Sequence, residues 1–193
     1  MRKTSSAFTL IELMVVITII GISITLAIPS WDRVGQKRLL TGAVEQVAAT
    51  LAVAQTEAQK RNQLVSLAFN RTDSQNWCVG ASVGSSGCDC TETDSGSAQY
   101  CTIDGTPTSI GNTVLKAVNL IEATDSAPVG GNSYISFDPV RGILQPTGDR
   151  LQLTFQSAGG QFQLRVLVSP TGLLKICNPV AGRKVAGYPS CAA

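Results

Sequence analysis

The chain has 193 residues, 44% hydrophobic and 15% charged, with 15 Lys+Arg against 13 Asp+Glu. That length allows one ordinary domain and a small extra element, and that composition excludes a disordered chain. The absence of histidine excludes Ser-His-Asp and Cys-His nucleophiles and imidazole metal ligands.

Residues 1–7, MRKTSSA, carry Arg2 and Lys3 and no acid, and Phe8 to Ile28 follows with Glu12 as its only charge. As a helix rising 1.5 Å per residue, that run spans about 32 Å, one hydrocarbon core. The next charges are Asp32, Arg33, Lys37 and Arg38. The basic start predicts a cytoplasmic N-terminus with the remainder on the far side of the membrane. Six Cys agree with an oxidising far side. The competing reading is a secretory signal peptide cut near Ala27, where Thr25 and Ala27 are small enough. Glu12 argues against it. An acid at the centre of a spanning helix costs ~2.5–3.5 kcal/mol, somewhat less near its end. No counter-charge lies between Leu13 and Ile28, so a partner on another chain is the simplest answer.

The run Ala7-Phe8-Thr9-Leu10-Ile11-Glu12-Leu13-Met14 closely resembles the cleavage and methylation motif of type IV pilins and type II secretion pseudopilins. The resemblance implies a prepilin peptidase cut between Ala7 and Phe8, N-methylation of Phe8, and retention of the apolar helix. It also implies that Glu12 pairs with the Phe8 amine of a neighbouring subunit. Pro29 sits where many pilins bend this helix, and Ala7 stands where most of the family has Gly. Cleavage removes two of the 15 bases and no acid, leaving 13 of each. A net charge near zero suits a packed assembly.

Pro29 predicts an end or a kink, with Ser30 and Asp32 able to cap the next turn. Leu40, Val44, Val47, Leu51, Ala54 and Ala58 then recur at steps of three and four, one apolar helix face expected to pack on the chain's own strands. Lys60, Arg61 and Asn62 make a favourable C-terminal end.

The remainder reads as strand, and 18 Gly and 8 Pro supply the turns. Leu64 to Asn70 alternates, with Val65, Leu67 and Phe69 on one face. Trp77 to Val83, Val114 to Glu122 (Leu115, Ala117 and Ile121 on one side) and Tyr134 to Asp138 follow. The strongest pattern is a three-stranded meander: Leu151, Leu153, Phe155; a turn at 158–160; Phe162, Leu164, Val166, Val168; a turn at 170–172; Leu174, Ile176. Six or seven strands fit two small sheets with a helix laid across one. The stretches Ile135-Ser136-Phe137-Asp138-Pro139-Val140-Arg141-Gly142 and Val168-Ser169-Pro170-Thr171-Gly172-Leu173-Leu174-Lys175-Ile176-Cys177 resemble the globular domain of GspH/FimT-type minor pilins and pseudopilins. The resemblance implies a β-sandwich on the long helix, and a minor, initiating or tip-located subunit.

The cysteines are Cys78, Cys88, Cys90, Cys101, Cys177 and Cys191. A Cys88–Cys90 bond across one residue is strained. If Cys177 and Cys191 close a terminal loop, two arrangements remain: Cys78–Cys88 with Cys90–Cys101, or Cys78–Cys90 with Cys88–Cys101. Either pins the loop from Ser82 to Gly105, which has few apolar anchors; a 15-residue closure contributes ~3 kcal/mol in the chain-entropy model. A four-thiolate metal site at Cys78, Cys88, Cys90 and Cys101 lacks paired knuckles. The acids Asp89, Glu92, Asp94 and Asp104 lack the alternation of a calcium loop, so the reading is a solvated acidic loop without metal.

Residues 72–138 hold eight acids and one base, whereas 150–193 hold five bases and no acid. A tail bearing Arg183 and Lys184, with Lys175 before it, can meet phosphates. It partly resembles the basic C-terminal region with which FimT-type minor pilins bind DNA. The competing reading is a solvated loop that balances an acidic neighbour. Nothing assembles a catalyst: no G-x-S-x-G, H-E-x-x-H or P-loop occurs.

The sequence therefore predicts an α+β protein without cofactor or enzymatic activity. Its expected parts are a leader at 1–7, a transmembrane helix at 8–29, an amphipathic continuation at 30–62 and a β-rich domain at 63–193. The expected function is a minor pilin or pseudopilin, anchored in the bacterial inner membrane with its domain in the periplasm and assembling with other subunits into a pilus or pseudopilus. The alternative is a tip-located pilin that binds extracellular DNA for uptake.

Overall fold

The computed structural model describes residues 9–111, 115, 118–124, 133–145, 151–179 and 181–191; the side chains of 26–30, 124, 133–134 and 181 lie outside that description. Two compact units divide it, Met1–Gly35 and Gln36–Ala193. One helix, α1 (Leu10–Arg61), contributes to both. Pro29 does not end it, so Ser30 and Asp32 cap no new helix. A proline removes one backbone donor while its fixed φ remains helical, and a long apolar helix absorbs that loss.

In the second unit the predicted stripe is realised. Leu40, Val44, Val47, Leu51, Ala54 and Ala58 are all fully buried and enter one core cluster with both sheets. At about 1.5–3 kcal/mol per large aliphatic side chain, this face alone contributes on the order of 10 kcal/mol. The helix ends in a Schellman motif. Asn62 adopts φ 52°, its N–H donates to Gln59 O (3.3 Å), and Gln63 N–H donates to Ala58 O (3.2 Å). Arg61 Nε donates to Glu57 Oε2 at 2.8 Å, and its guanidinium also pairs with Asp104.

The strands are β1 (Val65–Arg71), β2 (Trp77–Val83), β3 (Thr102–Ile103), β4 (Thr106–Pro107), β5 (Ile110–Gly111), β6 (Val118–Thr124), β7 (Ser133–Phe137), β8 (Leu144–Gln145), β9 (Leu151–Ser157), β10 (Gln163–Val168) and β11 (Leu174–Cys177). They form a five-stranded sheet in the order β5-β2-β1-β7-β8, a four-stranded sheet β11-β10-β9-β6 and the pair β3-β4. The meander stands as predicted, with Leu153 opposite Val166 and Phe155 opposite Leu164. Trp77 joins the two sheets: its ring meets Phe155 edge-on with centroids 5.1 Å apart, and its indole N–H donates to Val118 O at 3.0 Å.

One strand reading is corrected and another is extended. The third predicted strand shifts: residues 114, 116 and 117 lie outside the described residues, and Val118 and Leu120 are the buried pair. A bulge between Leu120 and Glu122 inserts one residue and leaves Ile121 half-buried. In β1, Ser66 and Ala68 are buried along with Val65, Leu67 and Phe69, because the strand is central and the cystine loop covers its second face. Ala68 packs in a satellite cluster with Cys78, Cys88, Cys90 and Cys101. The short strands β3, β4, β5 and β8 carry no pattern long enough to read.

Candidate functional site

In the first unit, Thr9 and Glu12 form a capping box. Thr9 N–H and Oγ–H both donate to Glu12 Oε2 at 3.3 Å, and Glu12 N–H donates to Thr9 Oγ1 at 3.3 Å. The sequence carries its signal as T-x-x-E. Glu12 Oε1 has no hydrogen-bond partner among the described residues. Every large apolar side chain described from Leu10 to Ile24 is 48–75% exposed. The hydroxyls of Thr18, Ser23 and Thr25 donate back to the carbonyls of Val15, Ile19 and Ile22, each at 2.8 Å. The segment thus satisfies its own polar side chains and leaves only apolar surface and one carboxylate to its surroundings. Among the described residues no helix is long and apolar enough to cross a membrane. Residue 8 and the side chains of 26–29, which the predicted span includes, lie outside the described residues, as do Ala7 and Phe8 of the predicted cut.

In the second unit, the two family-like stretches meet at one helix side chain. Gln55 Nε2 donates to Gly142 O (2.7 Å) and to Gly172 O (2.9 Å). Both glycines have positive φ, 64° and 80°. Asp138 shapes the first turn: the amides of Val140 and Arg141 donate to its Oδ1 at 2.9 and 2.7 Å, and Gln145 Nε2 donates to Oδ2 at 2.8 Å. The Arg141 amide, foremost among these donors, holds the Asp138 carboxyl below its ordinary value. Ser169 shapes the second turn, accepting the Leu173 amide at 3.1 Å on its Oγ.

The cystines are Cys78–Cys90, Cys88–Cys101 and Cys177–Cys191, the second of the two arrangements left open by the sequence. Among the described residues no group of three acids or cysteines is placed to hold a metal ion.

The basic tail is fixed to the sheet. Asn178, only 3% exposed, accepts the Val185 amide at 2.8 Å and donates from Nδ2 to Val185 O (3.1 Å) and Tyr188 O (2.7 Å). Sequence reading missed Asn178 because nothing in Cys-Asn-Pro marks it as more than a turn residue. Lys175 stands in β11. Arg183 ends a short 3-10 turn, Ala181–Arg183, and Lys184 follows it; both are exposed. None of the three forms an ion pair among the described residues.

Tyr188 ties the tail back to α1, its hydroxyl donating to Glu45. Burial, and next the Glu45 carboxylate, push the Tyr188 phenol up to about 12. Folding therefore favours the protonated phenol. That stabilisation is complete below pH ~10 and disappears as pH rises towards ~12. Spectrophotometric titration should show one phenol ionising near pH 12, a step absent from Tyr188→Phe.

The family described as Type II transport protein GspH matches residues 43–172, a range that contains Gln55, Gly142 and Gly172. The prokaryotic N-terminal methylation motif matches residues 2–28. Two crystal forms of the type IV minor pilin FimU from Pseudomonas aeruginosa are similar. One is 16% identical with a TM-score of 0.47, covering 71% of this chain and 87% of that one. The other is 19% identical with a TM-score of 0.46, covering 71% and 91%. No protein of curated function matches significantly. The chain belongs to the GspH family of type II transport proteins: it is a minor pilin or pseudopilin, a structural subunit bearing the N-terminal methylation motif.

Proposed function

We propose that the chain is cut by a prepilin peptidase between Ala7 and Phe8, methylated on Phe8, and held in the bacterial inner membrane by residues 8–29. Residues 30–62 continue the helix and 63–193 form the periplasmic domain. Assembly with other subunits draws this helix into a pilus or pseudopilus, where Glu12 receives the Phe8 amine of a neighbour. The observation that carries this reading is the segment from Leu10 to Thr25. It presents exposed apolar side chains, internally bonded hydroxyls and one carboxylate whose Oε1 has no hydrogen-bond partner among the described residues. Mass spectrometry of the mature chain tests it. The expected product begins at methylated Phe8, and a product beginning downstream of Ala27 would overturn it.

A second reading is contact with extracellular DNA through Lys175, Arg183 and Lys184. It is favoured by three bases without ion pairs among the described residues, on or beside a tail that Asn178 and a cystine hold in place. Each phosphate contact adds about −0.9 to the slope of log affinity against log salt. Replacing Arg183 and Lys184 by Ala should therefore flatten the slope by about 2 in gel retardation by the full chain in detergent. The absence of any retardation at low salt removes this reading and leaves the first intact.

A further inference from the structure

We propose that Trp31 is a membrane-interface anchor, its indole seated among lipid headgroups on the periplasmic side and fixing the depth of the N-terminal helix. This rests on the reading of residues 8–29 as the membrane-spanning segment.

Trp31 is 79% exposed, the largest side chain left open among the described residues. The chain has two tryptophans, and they differ in every respect that matters. Trp77 is 4% exposed and spends its indole N–H on Val118 O. Trp31 lies in the first unit, and its N–H has no partner among the described residues. An indole with an uncovered ring and an unspent donor suits a boundary where one side is apolar and the other offers water and carbonyl oxygens.

Spacing places that boundary. Within α1 the rise from Leu10 to Trp31 is about 32 Å, so a helix whose start lies at one edge of a ~30 Å hydrocarbon core delivers Trp31 to the opposite edge. Charge changes at the same point. No charged residue occurs between Glu12 and Asp32, and then Asp32 and Arg33 follow Trp31 directly. The occupant of this exposed ring is therefore the headgroup layer, continuous with the lipid that covers the apolar side chains before it.

The full chain is reconstituted in phosphatidylethanolamine/phosphatidylglycerol vesicles whose acyl chains are brominated either near the headgroup or near the bilayer centre. Subtracting the emission of Trp31→Phe removes the buried Trp77 background, and this conservative variant leaves the domain untouched. Bromines near the headgroup should quench the Trp31 component about twofold or more, and central bromines distinctly less. If the chain floats with the vesicles but Trp31 is unquenched by either lipid, or is quenched more by central bromines, the anchor is wrong and the membrane reading stands. Failure to float with vesicles overturns both.

Discussion

Glu12→Gln is expected to insert into the inner membrane like the native chain and to be lost from filaments, its share of the sheared filament fraction falling on the order of 10–100-fold. On the proposed reading Glu12 has two separable tasks, and this substitution divides them. Glutamine still closes a capping box with Thr9, so the start of α1 keeps the bonds between Thr9 and residue 12. What it removes is the negative charge that a neighbour's amine would meet inside an apolar assembly. An amine left there without a counter-ion costs several kcal/mol. Thr9→Val is the complement. It costs the cap about 0.5–2 kcal/mol but keeps the charge, so incorporation should stay within a few-fold of native. Quantitative immunoblotting of filament and membrane fractions reads both. Native-level incorporation of Glu12→Gln would remove the carboxylate's charge from the account of assembly.

Gly172→Ala should lower the stability of the second unit by about 3–5 kcal/mol, on the order of 10 °C in thermal unfolding. Two costs add. Gly172 has φ 80°, where a Cβ is strained. That Cβ would also overlap the Gly142 carbonyl oxygen and lie 2.7 Å from Gln55 Nε2, and two of those groups are the partners of a shared hydrogen-bond clasp. Backbone cannot step aside as a flexible side-chain tip can. Gly42→Ala has the opposite sign: nothing lies within 4 Å of its new Cβ, it sits inside α1, and it should stabilise by about 0.5–1 kcal/mol. Circular dichroism melts of the pair decide the matter. Equal melting temperatures would mean that the clasp contributes nothing.

Where one residue's environment is set by a repeating pattern, the sequence was legible. The stripe from Leu40 to Ala58 and the meander from Leu151 to Ile176 follow periods of 3.6 and 2; the residues those periods select are buried, except Phe162, Leu174 and Ile176, which pack half-buried against the core. Legibility failed where a single event breaks the period. In β6 the buried residues are Val118 and Leu120, and the bulge between Leu120 and Glu122 breaks the alternation beside Ile121. The choice between two cystine arrangements follows no period; the cystine loop packs on Ala68, a residue 10 positions before the first cysteine. At the candidate site, Glu12 stood out as a charge in an apolar run, and Thr9 did not because it is an unremarkable neighbour until the helix start is placed. Gln55 was invisible, since its partners lie 87 and 117 residues away.

Those separations bear on biosynthesis. The covering face of α1 is closed by groups that leave the ribosome long after it: Gly142, then Gly172, and finally Tyr188, 143 residues beyond Glu45. Loop-closure entropy must be met before any of these distant contacts repays it. A nascent subunit therefore keeps part of the apolar side of its helix uncovered, and open to proteases, until these late groups have been made.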